Sequence, residues 1–142
     1  MIIMQIEKSQ IKNYIPQREP FIMIDEMTNI TEKGFESQFN ILSDNLFLDN
    51  NILSESSLVE NIAQTCAAGF GYLNSLQSEG EPRLGFIGAV TKLTNFKYAE
   101  LNQLINTKVE ILNTFENIHL IQGTCFLGEE KLVECQMKIV LA

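Results

Sequence analysis

Glu60 stands inside the most apolar long segment of the chain, ILSESSLVENIAQTCAAGFGYLN from Ile52 to Asn74, with Gln64 four residues further on. That spacing is close to one helical turn, so the two side chains share a face of any helix formed there. A carboxyl in apolar surroundings is suited to giving up a proton, because such surroundings disfavour its charged form. An amide on the same face is suited to holding that carboxyl, or a bound water, in place. The pair therefore reads as the centre of a site rather than as a solvated surface. The second group that acid–base chemistry usually requires is not beside it. The one histidine, His119, lies in the apolar stretch NIHLIQ, where a lone imidazole reads as structural. Asp49 lies among asparagines in DNLFLDNN, where it reads as a solvated turn.

The elements that must position Glu60 show in the periodicity. Ser54, Ser56 and Ser57 are each suited to cap a helix. Leu58, Ile62, Cys66 and Phe70 then recur at four-residue spacing beside Val59, Ala63 and Ala67. A helix apolar on nearly every face must be covered on most of them. Gly69, Gly71 and the segment QSEGEP, with Gly80 and Pro82, mark its expected end. Elsewhere the pattern is strand-like: FIMIDEM, GFESQFNIL, LGFIGAVTKLTNFKY, LINTKVEILNTF, IHLIQGTCFL and KLVECQMKIVLA, the last two joined by a tight hairpin at Gly128-Glu129-Glu130. About five or six strands, mostly following the helix without another helix between them, predict antiparallel pairing and an α+β class. Such a sheet curled around the helix would bury most of its faces.

Composition narrows the partners. The 142 residues, 45% hydrophobic and 20% charged with eight Gly and three Pro, fit one globular domain over residues 1–142. Ten basic against eighteen acidic residues give a net charge of -8, which argues against a nucleic-acid surface. The opening MIIMQIEKSQ lacks the core of a signal peptide, and no run of apolar residues is long enough to span a membrane, so a cytoplasmic protein is expected. Cys66, Cys125 and Cys135, odd in number and widely spaced among apolar neighbours, read as reduced packing residues. No metal and no cofactor are expected.

The stretch YIPQREPFIMIDEM resembles the opening of the β-hydroxyacyl-(acyl carrier protein) dehydratases of the hotdog fold, which typically read Leu-Pro-His-Arg-x-Pro-Phe, an apolar run and Asp; Pro16, Arg18, Pro20, Phe21 and Asp25 match. LVENIAQTCAAG is similar to that family's central helix, whose acid is followed four residues later by Gln, here Glu60 and Gln64. GFIGAVTKLTNFKYAELNQL resembles the strand after the helix, including Gly88, so the likeness runs from about Ile15 to Leu141. In the family, a histidine in a His-Phe-Pro-Gly-type loop precedes the acid by fourteen residues. That position here is Leu46, in a loop without His, Pro or Gly, and the histidine of the opening motif is Gln17.

The resemblance implies a hotdog fold, two subunits pairing their sheets edge to edge as a homodimer or a heterodimer with a related subunit, and an acyl tunnel at their interface. It implies removal of water from a 3-hydroxyacyl thioester on acyl carrier protein, in fatty-acid or polyene-type lipid synthesis. That reaction needs a base for the proton on carbon 2, a donor for the departing hydroxyl and hydrogen bonds to the thioester carbonyl. Glu60 is the candidate donor and Gln64 its holder. Backbone N–H groups at Glu55, Ser56 and Ser57, at the positive end of the helix, are candidates for polarising the carbonyl, with Gly88 on the adjacent strand. Arg83, Lys92 and Lys97 are candidates for receiving the acidic carrier protein. Two other readings stand beside it: a non-catalytic hotdog subunit that binds acyl chains or partners an active paralogue, and a thioesterase.

Overall fold

The computed structural model describes residues 4–77 and 85–142. Ser54 opens the central helix: its backbone is extended (φ -69°, ψ 162°) and its hydroxyl accepts from the Ser57 N–H. This leaves Glu55–Ser75 as α1. Gly69 and Gly71 do not end it. Both are buried within the helix, where they permit close approach: a Cβ at Gly69 would overlap the Phe35 ring, and one at Gly71 would lie 2.8 Å from the Tyr14 carbonyl oxygen. The expected Gly80 and Pro82 stop lies outside the described residues.

The strands are β1 (Met4–Ile6), β2 (Glu26–Ile30), β3 (Gly34–Asn40), β4 (Leu48–Asp49), β5 (Ile52–Leu53), β6 (Gly85–Asn95), β7 (Ala99–Glu100), β8 (Leu104–Phe115), β9 (Ile118–Leu127) and β10 (Glu130–Leu141). A 3-10 helix, Lys8–Asn13, follows β1. Seven strands form one antiparallel sheet in the order β1-β2-β3-β8-β9-β10-β6, and β4, β5 and β7 form a small second one. Five of the longer strands, β3, β6, β8, β9 and β10, fall where strand-like segments are expected; β1 and the two-residue strands are too short to carry a period.

Two-residue hairpins join the last three strands. Leu127 pairs with Glu130 across Gly128-Glu129, with Gly128 at φ 61°, and Phe115 pairs with Ile118 across Glu116-Asn117, with Glu116 at φ 55°. The β4–β5 turn uses Asn50 and Asn51 at φ 51° and 64°, and Asp49, expected in a turn, is instead the exposed last residue of β4 beside it, paired with Ile52.

Helix α1 packs on β2, β3, β6, β8, β9 and β10. Leu58, Ile62 and Cys66 meet Ile105, Ile121, Cys125 and Met137 in a core that is almost wholly shielded from solvent. Gly123 on β9 lets the helix sit close, since a Cβ there would overlap the Ile62 side chain. The three cysteines are free and buried, as expected. Among the described residues no helix is long and apolar enough to cross a membrane.

The strand expected at FIMIDEM is present only at its last two residues. Glu26 and Met27 begin β2, but Phe21 to Asp25 form a connector beneath the helix. The Met23 N–H donates to Gln64 Oε1 (2.6 Å), and the Met23 and Phe21 carbonyls accept from Asn61 Nδ2 (2.7 Å) and Gln64 Nε2 (2.9 Å). Backbone groups that would pair with a neighbouring strand in a sheet bond instead to helix side chains.

Candidate active site

Position 64 illustrates how the helix builds its polar face. Gln64 is fully buried, and its two backbone partners leave its amide one possible orientation: the oxygen must face the Met23 N–H and the nitrogen the Phe21 carbonyl. The second hydrogen on Nε2 donates to Glu60 Oε1 at 2.9 Å. Oε1 of Glu60 is therefore an acceptor, and a proton on this acid resides on Oε2. Glu60 and Gln64 are thus brought together as their spacing predicts.

Asn61 extends the polar face deeper. Its Nδ2 donates to the Met23 carbonyl, its Oδ1 accepts from Thr107 Oγ1 at 2.6 Å, and its backbone carbonyl accepts from Thr65 Oγ1 at 2.8 Å. Thr65 has then spent its one proton, so Ser37 donates to it across 2.7 Å. This buried network joins the helix to β3, β8 and the Phe21–Asp25 connector, and so fixes the turn of helix that carries Glu60. Sequence reading passed over Asn61; the signal was a second polar residue next to Glu60 in an otherwise apolar run.

Glu60 is half-buried at the edge of a cavity of about 550 Å³. Ala63 and Ala67, on the same helical face, continue the cavity wall away from the acid, and their small side chains leave room above them. Phe86, Ile87 and Ile139 form an apolar wall at the β6–β10 edge, and Tyr14 to Arg18 form the wall opposite. Arg18 is folded back on its own loop, donating from Nη1 to the carbonyls of Ile15 (2.9 Å) and Gln17 (2.7 Å). Among the described residues that line this cavity there is no histidine.

Other expected site residues lie elsewhere. The Ser57 N–H is used by the cap, donating to Ser54 Oγ (3.4 Å) and to the Ser54 carbonyl (3.2 Å). Glu55 and Ser56 are exposed, and none of the three lines the cavity. Gly88 follows the lining residue Ile87 but does not itself line it. Lys92 is exposed on β6 at φ 53°, and Lys97 is ion-paired with Glu130 at 3.3 Å. Arg83 lies outside the described residues.

His119 stacks on Phe70 (ring centroids 4.3 Å apart), with Nδ1 2.9 Å from Thr114 Oγ1. Phe70 is ten residues beyond Glu60 in α1, about 15 Å along the helix axis. The imidazole of this chain is therefore at the far end of the helix from its acid.

The chain is 25% identical over 137 residues to the 3-hydroxyacyl-[acyl-carrier-protein] dehydratase FabZ of Clostridium kluyveri, covering 92% of each chain. It is 23% identical over 145 residues to the enzyme of the same name from Bacillus subtilis, covering 96% of this chain and 98% of that one. In structure it is similar to a chain of the dehydratase heterocomplex ApeI:P from Xenorhabdus doucetiae, with a TM-score of 0.86, 15% identity and coverage of 93% of this chain and 90% of that one. At that identity the likeness is one of fold, and the fold is the expected hotdog. A family model described as ApeP dehydratase matches residues 9–141, nearly the whole chain, and on that match the protein belongs to the ApeP-like dehydratase family.

Proposed function

We propose that the chain acts in the dehydration of a 3-hydroxyacyl group carried as a thioester on acyl carrier protein, in fatty-acid or polyene-type synthesis. The observation that carries this reading is Glu60, held by Gln64, in the lining of a cavity that Phe86, Ile87 and Ile139 wall with apolar side chains. Protonated Glu60 gives its Oε2 proton to the departing hydroxyl, while Gln64 keeps Oε1 fixed. The acyl chain lies over Ala63 and Ala67, against Ile87 and Ile139. The base that takes the proton from carbon 2 comes from a second hotdog subunit, since the described lining residues of this one include no histidine and His119 is at the far end of α1.

The sheet edge supports such a partnership. Strand β6 is an 11-residue edge strand with exposed Phe86, Ile87, Val90 and Leu93. A long apolar edge is a template for pairing with another sheet. Val90 sits opposite the buried Met137 and Ile87 opposite the buried Ile139, so the core face of the sheet continues onto β6 without cover. A subunit paired there would also close the cavity, which β6 helps to line.

The test is conversion of a 3-hydroxyacyl thioester on carrier protein to the enoyl form, followed by mass, with the chain alone and mixed with a histidine-bearing hotdog paralogue. Turnover in either arm is expected. Glu60→Gln should lower it by about 10²- to 10⁴-fold while leaving the fold intact. Absence of turnover in both arms would count against the reading.

A further inference from the structure

The wall of the cavity that faces α1, Tyr14 to Arg18, belongs to a segment that meets the helix at both of its ends. At one end the Phe21 carbonyl accepts from Gln64 Nε2. At the other the Tyr14 carbonyl oxygen sits against Gly71, where a Cβ would be 2.8 Å from it, and the Tyr14 and Tyr72 rings pack 5.5 Å apart. Between these contacts the segment arches over Ala63 and Ala67, and the cavity lies beneath it. Arg18 Nη1, donating to the Ile15 and Gln17 carbonyls, holds the arch in shape.

The helix is a ruler for the space under the arch. Ala67 is seven residues beyond Glu60 in α1 and Gly71 is eleven, which is about 10 Å and 16 Å along the axis. An extended chain of single bonds advances about 1.2 Å per bond, as three backbone bonds per residue do in a polypeptide. With carbon 3 beside Glu60, about eight further bonds bring an acyl chain level with Ala67, near carbon 11. One turn on, the Tyr14 carbonyl lies against the helix. Lys12 and Asn13, just before Tyr14, also line the space but are exposed and polar, so a chain running past Tyr14 leaves its apolar cover.

We propose that the contact of Tyr14 with Gly71 ends the acyl site, so that it takes chains of up to about 12 carbons and Ala67 sets its depth. The inference rests on the dehydratase reading and adds a length limit to it. Ala63 and Ala67 both face the cavity, so a leucine at either position grows into the acyl space rather than into the core. The two positions differ in where they interrupt the chain. Ala63 is three residues beyond Glu60, about 4 to 5 Å along the axis, and a side chain there stops an acyl group well before one at Ala67 does.

Equilibrium titration of the full chain with butanoyl, hexanoyl, dodecanoyl and hexadecanoyl pantetheine tests this, since saturated thioesters bind without turning over. Affinity is expected to rise by up to about fourfold per methylene from butanoyl to dodecanoyl. It should gain nothing from dodecanoyl to hexadecanoyl. Ala67→Leu should leave butanoyl and hexanoyl affinity within about twofold and lower dodecanoyl affinity by at least about tenfold. Ala63→Leu should lower hexanoyl affinity as well and spare butanoyl, whose binding shows that each variant is folded. A rise that continues to hexadecanoyl overturns the limit and leaves the dehydratase reading standing. Loss of all four thioesters to the same degree in both variants, or of none in either, overturns the placement of the chain over Ala67. Failure of all four to bind the unsubstituted chain overturns the dehydratase reading and the limit with it.

Discussion

Gln64 Nε2 lies 2.9 Å from Glu60 Oε1, and the same side chain accepts the Met23 N–H at 2.6 Å, so the group that holds the acid is itself held by the backbone of a separate segment. The orientation of the acid is thereby linked to the packing of the connector under the helix.

Gln64→Leu separates the two roles of that side chain. It leaves the Met23 N–H and the Phe21 carbonyl without partners, and a loss of about 2–3 kcal/mol in denaturant unfolding is expected. It also frees Glu60 to rotate, so kcat should fall more than KM rises. Lower stability with unchanged turnover would make Gln64 a purely structural residue.

Charge on the exposed β6 edge should block assembly. Val90→Lys combined with Leu93→Lys places two ammonium groups on the face that the edge strand leaves bare, where pairing would bury them. Sedimentation at micromolar concentration should show a dimer for the unsubstituted chain and a monomer for the double variant. A dimer that survives both changes would place the interface elsewhere.

Lys92 and Lys97 test carrier-protein docking. The chain carries a net charge of -8, so an acidic partner is repelled unless cations gather locally. Lys92→Glu with Lys97→Glu should weaken binding of acyl carrier protein and flatten its salt dependence. Lys97 should contribute the smaller part, being engaged with Glu130. Unchanged affinity would return both to the solvated surface.

Alkaline pH should unfold the chain through its buried thiols. Burial pushes the Cys135 thiol from its ordinary 9.0 up to about 11, with the nearby Glu134 carboxylate adding to it. It pushes Cys125 up to about 12 against a partial offset from the Thr107 hydroxyl, and it raises Cys66 as well. Folded values above the unfolded one mean that the unfolded chain releases these protons first. Stability is then full below about pH 9 and lost as pH climbs towards 11 and 12, at about 1.4 kcal/mol per pH unit for each thiol. Denaturation midpoints measured across that window should fall less steeply in Cys125→Ala and Cys135→Ala. Identical slopes in the variants would show that other groups carry the effect.

The helix, its serine cap, five of the longer strands and the Glu60–Gln64 pair were legible in the sequence, because each rests on local spacing: 3.6 residues per helical turn, two per strand repeat, four between neighbours on a helix face. The same local logic misread Gly69 and Gly71 as a stop. In isolation glycine weakens a helix, but in this fold Phe35 and the Tyr14 backbone fill the space its missing side chain leaves. It also misread Phe21 to Asp25 as strand, because an apolar run does not say whether its backbone will meet another strand or the side chains of Asn61 and Gln64. The cavity was beyond such reading altogether. Gln17, Glu60, Ile87 and Ile139 lie far apart along the chain and share one wall-to-wall space only because α1 packs across the sheet. Local spacing determined which residues could do chemistry; long-range packing alone decided which of them face each other, since contacts between distant segments leave no period in the sequence.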